Sequence, residues 1–115
     1  MPRVTKALAA KAKHKKVLKA TKGHYGARSR LFKTAKQSNV KALQYAFRDR
    51  RNKKRTFRSL WISRISAALL PLEVSYSRFI NQLSKADIKL DRKSLAGIAF
   101  SDPATFKKIV EKVRV

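Results

Sequence analysis

The residues best suited to a chemical task in this sequence are arginines and lysines crowded into one short segment. The stretch "RDRRNKKRTFR", Arg48–Arg58, holds seven cations in eleven residues. A guanidinium group binds two oxygens of a phosphate or carboxylate side by side, whereas a lysine ammonium group acts as a point charge. This composition therefore predicts contacts to a partner that presents many anionic groups in succession.

No arrangement of nucleophile, base and acid typical of an enzyme accompanies these cations. His14 and His24 stand in basic surroundings with no carboxylate near them in sequence, so we interpret them as polar contacts to a phosphate or a base. Asp87 and Asp91 are better explained as turn and helix-cap residues than as an acid–base pair. The sequence contains no cysteine, which excludes a thiolate metal site. We predict no catalytic site, no metal, no cofactor and no small-molecule substrate.

The net charge of the chain points to a polyanionic partner. Its 115 residues carry 30 Lys and Arg against 6 Asp and Glu, a formal charge of +24. Residues 1–58 contain 20 of these cations and one acid. Such a charge opposes compaction, so we expect an anionic partner in the working state. Nucleic acid is the first candidate, and an anionic membrane or an acidic protein are the alternatives. No run of about 18 apolar residues predicts a membrane span.

A long, polar helical region is expected to position these cations. Residues 5–21 are rich in Ala, Leu and Lys and predict a first helix, and two glycines predict a break at 23–26. From Ala27 to Leu70 neither glycine nor proline occurs, which predicts a long helix from about residue 27. Its first part shows no sustained heptad, so a coiled coil is not expected. A helix that is basic on every side must be enclosed by something other than protein core.

Beyond Phe57 the apolar residues take up the spacing of amphipathic helices. Four such segments follow one another, with Ser75, Asp91 and Asp102 as predicted N-caps and Pro103 in a first helical turn. The predicted fold class is therefore all-α, with a long basic N-terminal extension (1–58) that continues into a small C-terminal helical bundle (59–115). The predicted bundle core consists of Phe57, Leu60, Trp61, Ile65, Phe79, Ile80, Leu83, Leu95, Ile98, Phe106, Ile109 and Val110.

Aromatic residues within the basic region are candidates for stacking on nucleic-acid bases. Tyr25, between glycines and close to Arg28, is the best placed of them. Tyr45 and Phe47 are compatible with either packing or stacking. For Trp61 we expect core packing, with base stacking as the alternative. A basic helix could also lie in a DNA groove, as in a zipper protein, but the heptads that would dimerise such a protein are missing. A helix that is charged on every side fits better in a tunnel between RNA helices than in a single groove.

Four stretches of this sequence closely resemble one known family. They are "HKKVLKATKGHYGARSRLFKTAKQ" (14–37), "YAFRDRRNKKRTFRSLWISRISAA" (45–68), "YSRFINQL" (76–83) and "LDRKSLAGIAF" (90–100). The family is the bacterial-type large-subunit ribosomal protein of family number twenty (bL20), and the resemblance runs from about residue 3 to residue 113. This chain departs from the usual pattern at Ser66, Pro71 and the His24–Tyr25 turn, so the base contacts of that turn are the least transferable.

The resemblance implies a structural constituent of the large ribosomal subunit that binds 23S ribosomal RNA directly. It also implies a role early in subunit assembly, neighbouring ribosomal proteins as further partners, and no part in peptide-bond chemistry. Because the family pattern begins almost at Met1, we expect no cleaved leader and a location in the cytoplasm of a bacterium, or in an organelle that makes the protein itself. A histone-like DNA-compacting protein is the alternative function. A membrane-active helix is disfavoured, because residues 5–50 lack a continuous apolar face.

The residues expected to contact RNA are the cations of the extension and the polar or aromatic residues between them. They are Arg3, Lys6, Lys11, Lys13, His14, Lys15, Lys16, Lys19, Lys22, His24, Tyr25, Arg28, Arg30, Lys33, Lys36, Gln37, Arg48, Arg50, Arg51, Lys53, Lys54, Arg55 and Arg58.

Overall fold

The computed structural model describes residues 7–114, and these residues form helices and turns without a strand. The predicted all-α fold class, with a long helix followed by shorter ones, is confirmed. The helices are α1 (Ala7–Ala20), α2 (Phe32–Leu69), α3 (Tyr76–Lys85), α4 (Arg92–Ser101) and α5 (Pro103–Val113), and single 3₁₀ turns occupy Gly26–Ser29 and Leu70–Leu72.

The chain divides into two compact units, Met1–Arg51 and Asn52–Val115. The first unit contains α1 and the first part of α2, and the second contains the rest of α2 together with α3, α4 and α5. Helix α2 has 38 residues, against about 10–14 for an average helix in a globular protein. Pro71 stands two residues after its last residue, Leu69, as expected from the missing N–H and fixed φ of proline.

The break between α1 and α2 extends beyond residues 23–26, the range that was predicted from the two glycines. Gly23 and Gly26 have φ values of 87° and 58°, a left-handed backbone that glycine adopts without a Cβ clash. The chain then forms a 3₁₀ turn, and the Leu31 N–H donates to the carbonyl of Ala27 at 2.8 Å. The Thr34 hydroxyl donates to the same carbonyl at 3.0 Å. With these hydrogen bonds in the turn, α2 begins only at Phe32. No glycine or proline between residues 27 and 31 indicates this later start. The predicted start of α1 at residue 5 lies outside the described residues.

Within the first unit, α1 packs against the beginning of α2. The rings of His14 and Phe32 are stacked, with their centroids 3.8 Å apart and their planes inclined by 20°. Thr21 and Ala35 are fully buried, and the Thr21 hydroxyl donates to the carbonyl of Val17 at 3.1 Å. A small packed contact thus exists in a region whose sequence predicted only a solvated or RNA-bound helix.

The second unit has its own apolar core. Phe79 and Phe106 lie near one another at its centre, with ring centroids 5.7 Å apart and planes inclined by 57°. Of the predicted core residues, six are buried: Ile65, Phe79, Leu83, Leu95, Phe106 and Val110. Four more are half-buried against that cluster: Trp61, Ile80, Ile98 and Ile109. Leu69, Ala96 and Val113 are buried as well, although the predicted core omitted them.

Two predicted core residues, Phe57 and Leu60, require correction. They are 43% and 40% exposed, and neither belongs to the buried cluster. Both share the helical stripe of Ile65, and the Phe57 ring lies 6.3 Å from that of Trp61. The apolar period identifies which face of a helix is buried, but it does not state how far along the helix other elements cover that face. In α2 the cover begins at Trp61.

The three predicted N-caps of the bundle are confirmed. The side chain of Ser75 accepts from the Arg78 N–H at 3.4 Å, and that of Asp91 accepts from the Ser94 N–H at 3.3 Å. Asp102 caps α5, in which Pro103 stands in the first turn. Hydrogen bonds from the hydroxyl and then the N–H of Thr105 lower the pKa of the Asp102 carboxyl. Each cap satisfies a backbone donor that the first helical turn leaves unpaired.

Candidate nucleic-acid interface

The middle of α2 is exposed in each of the two units. In the first unit every residue from Val40 to Arg51 is exposed, and in the second so is every residue from Asn52 to Leu60. A helix of a globular protein normally buries an apolar stripe. Here side chains as large as Leu43 and Phe47 are 63% and 57% exposed. This surface is therefore available to a partner on all sides of the helix.

The cations of this surface have almost no internal counter-charge. Asp49 is the only carboxylate of residues 1–58, and it pairs with Arg48, whose Nε lies 2.9 Å from its Oδ1. The hydrogen bond from Arg48 to Asp49, and then the charge of Asp49, raise the pKa of Arg48. Within residues 7–114 the other ion pairs join Lys89 to Asp87 and Lys107 to Glu111, both in the bundle. The remaining cations of α2 are thus placed to meet anions outside the chain.

The residues predicted to contact RNA are spread over α1, the turn and the first part of α2. Among those that the structure describes, His24 is half-buried and all the others are exposed. Arg3 and Lys6 lie outside the described residues. Helix α1 carries Lys11, Lys13, His14, Lys15, Lys16 and Lys19; the break carries Lys22, His24, Tyr25, Arg28 and Arg30; α2 carries Lys33, Lys36, Gln37, Arg48, Arg50, Arg51, Lys53, Lys54, Arg55 and Arg58.

Arginines lie over exposed aromatic rings along α2. The guanidinium carbon of Arg48 is 4.8 Å from the centroid of the Tyr45 ring, and that of Arg51 is 5.0 Å from the centroid of Phe47. The sequence left packing and stacking open for these two aromatics. Because they are 52% and 57% exposed, they are surface residues that a partner can reach.

Three further aromatic side chains differ in what they can offer a partner. Tyr25 is 92% exposed, which suits the stacking role predicted for it. One face of the His14 imidazole is occupied by Phe32, while the ring edge remains for contact with a partner. Trp61 packs against the bundle core, as expected for its position in the stripe.

The predicted RNA contacts omitted Lys41 and Ser38, and Tyr45 was predicted only as an aromatic residue that could either pack or stack. The sequence held a signal for Lys41, because it carries the same charge as its neighbours on α2. Ser38 gave no comparable signal, and for Tyr45 the sequence left packing and stacking open. They become notable through a hydrogen bond between Ser38 Oγ and His24 Nδ1, 2.7 Å apart, and through the arginine above the Tyr45 ring.

Other kinds of site are not found in the described part of the chain. Residues 7–114 contain no group of three or more His, Asp or Glu side chains arranged to hold a metal ion. None of their helices combines the length and the apolar character needed to cross a bilayer.

Two comparisons with known proteins agree with one another. A family model described as ribosomal protein L20 matches residues 3–109. A protein of Bradyrhizobium sp. strain BTAi1, named large ribosomal subunit protein bL20, is 57% identical over 114 residues. That match covers 99% of this chain and 96% of the relative, so it includes both units and the whole of α2.

Proposed function

The chain belongs to the ribosomal protein L20 family, and from this membership we propose that it binds 23S ribosomal RNA directly and promotes early assembly of the large subunit. It is a structural constituent of the ribosome and not an enzyme. We place it in ribosomes of the bacterial type, in the cytoplasm, with neighbouring large-subunit proteins as further partners.

The observation that carries this proposal is the exposed middle of α2, in which Asp49 is the single acid among many cations. Folding a large RNA brings the phosphates of distant helices close together, and their repulsion opposes the compact state. A helix that presents cations on every side supplies counter-charge where two or more RNA helices converge. Its arginines add geometry to charge, because each can hold two phosphate oxygens. The residues from Val40 to Leu60 are exposed among those the structure describes, so binding there requires no rearrangement of a protein core.

A histone-like DNA-compacting protein would share the charge, and competition for the intact chain separates the two functions. Labelled protein bound to naked 23S RNA is challenged with unlabelled 23S RNA or with duplex DNA, at equal phosphate concentration and fixed salt. We expect the RNA to displace the label at a concentration at least about tenfold lower, because site-specific contacts add to the nonspecific electrostatic term. Equal competition by the duplex would support the DNA-compacting alternative.

The assembly role predicts different results before and after the subunit is complete. Depleting the protein during subunit formation is expected to accumulate incomplete large-subunit particles, measured by sedimentation. Removing it from finished subunits should leave peptidyl transfer nearly intact, because many other contacts by then hold the RNA and the chain supplies no catalytic group. A large fall in the transfer rate of stripped particles, with their RNA fold verified by chemical probing, would contradict this assignment.

A further inference from the structure

A cavity of about 570 Å³ lies in the first unit, between the turn after α1 and the first turns of α2. This volume falls within the range of small-ligand sites, about 300–1,000 Å³. The turn contributes His24 and Arg28, and α2 contributes Gln37, Ser38, Lys41 and Tyr45. Thr34 and Ala42 complete the lining, which contains no carboxylate.

Hydrogen bonds hold the two walls of this cavity together. The Nδ1 atom of His24 and the hydroxyl oxygen of Ser38 are 2.7 Å apart, which ties the turn to the side of α2. On the far side of the turn, the hydroxyl of Thr34 donates to the carbonyl of Ala27 at 3.0 Å. The left-handed conformations of Gly23 and Gly26 bracket His24 and let the turn approach α2. The site is thus present before a ligand arrives, which lowers the cost of ordering it on binding.

The side chains around the cavity combine three kinds of recognition. Arg28 and Lys41 offer two positive charges without a carboxylate in the lining to neutralise them. The amide of Gln37 can donate and accept at the edge of a planar ligand. The Tyr45 ring offers a stacking surface, and Arg48 lies over one of its faces at 4.8 Å, which leaves the other for a ligand.

A ligand that uses all three features is planar, has hydrogen-bonding groups at its edge and carries an adjacent negative charge. A nucleotide has this combination, whereas a bare phosphate would leave Tyr45 and Gln37 unused. A paired base would present neither a free face nor a free pairing edge, because RNA bases are read mainly where they are unstacked and splayed out.

We propose that this cavity binds one unpaired nucleotide of the ribosomal RNA. Its base stacks on Tyr45 opposite Arg48, its edge meets the Gln37 amide, and its phosphate lies between Arg28 and Lys41. The His24 ring, held through Nδ1, presents Nε2 to the sugar or the base. This inference rests on the proposed function and adds one specific base contact to an interface that consists mainly of cations.

The test compares Tyr45→Leu with Phe47→Leu in the full-length protein, with naked 23S RNA as the probe. Both variants remove an exposed aromatic ring that lies under an arginine, but Phe47 does not line the cavity. Tyr45→Leu is expected to weaken binding by about 5- to 100-fold, the range for one stacked base, with an unchanged salt dependence. Phe47→Leu is the control for the cavity itself: whatever its effect on overall affinity, it should leave the base at the cavity protected, because Phe47 does not line the cavity.

Base-specific chemical probing supplies the second readout. A single unpaired base should be protected from modification by the unmodified chain and by Phe47→Leu, and should lose that protection with Tyr45→Leu and Gln37→Leu. Equal binding and equal protection by all variants would overturn the pocket while leaving direct RNA binding intact. An unmodified chain that does not bind 23S RNA would overturn the proposed function, and the pocket with it. Helical circular dichroism of each variant controls for folding.

Discussion

Replacing Phe79 with alanine is expected to remove most of the stability of the second unit and to lower its melting temperature sharply. Phe79 is fully buried and packs against Phe106, so its truncation leaves a cavity at the centre of the bundle. A change from Phe to Ala in a core costs about 3–5 kcal/mol, whereas small domains have only about 5–15 kcal/mol in total. Because small units bury a low fraction of their surface, the bundle is expected to lie near the lower limit. Fluorescence of Trp61, the single tryptophan, reports thermal unfolding of this unit.

The matched control for this experiment is Phe57→Ala. The same atoms are removed, but from a side chain that is 43% exposed and outside the buried cluster. We expect it to cost less than about 1 kcal/mol, as for most surface replacements. A loss of stability as large as that of Phe79→Ala would mean that Phe57 belongs to the core, which would contradict the structure. A stable Phe79→Ala variant would mean that the buried cluster is not what holds the second unit together.

Replacing Arg50, Arg51, Lys54 and Arg55 with alanine is expected to weaken binding to 23S RNA on the order of a thousandfold at moderate salt. All four side chains are exposed on α2 and none has a carboxylate partner within the described residues. If each neutralises one phosphate, the plot of log affinity against log salt should flatten by about 3 units. The slope is the sharper readout, because it counts released counterions and not helix stability.

A control for net charge uses four bundle lysines, Lys85, Lys93, Lys108 and Lys112, replaced together by alanine. These positions are also exposed, and the formal charge of the chain falls by the same amount. We expect a clearly smaller change of slope, because no phosphate contact is assigned to them. An unchanged slope in the α2 variant would mean that this cluster faces solvent in the complex. Trp61 fluorescence should show the bundle folded in both variants.

The features that local chemistry decides were predictable from the sequence. Helix order followed from apolar periodicity, and the caps at Ser75, Asp91 and Asp102 followed from side chains that accept from nearby N–H groups. The anionic partner was predicted from the net charge, which can be counted directly in the sequence. In each case the deciding interaction joins residues within a few positions of one another.

The features that distant residues decide were not predictable in the same way. The stack of His14 on Phe32 and the hydrogen bond between His24 and Ser38 join positions far apart in the chain. No period or propensity encodes such a pairing. The prediction that Phe57 is buried was wrong for a related reason. Its burial depends on how far α3, α4 and α5 extend along α2. The walls of the candidate cavity are joined by the contact between His24 and Ser38, so single-residue reasoning found the lining residues only in part.

The uncovered length of α2 also bears on how the sequence can change over generations. In the bundle a replacement must conserve volume, because Phe79 and Leu95 have neighbours on every side. Between Val40 and Leu60 the chain itself sets little limit on side-chain size, since every residue there is exposed. Under the proposed function, the phosphates of the RNA instead limit the sign of the charge. We therefore expect selection to act mainly on charge between Val40 and Leu60 of α2, and mainly on side-chain volume in the part of the same helix that follows.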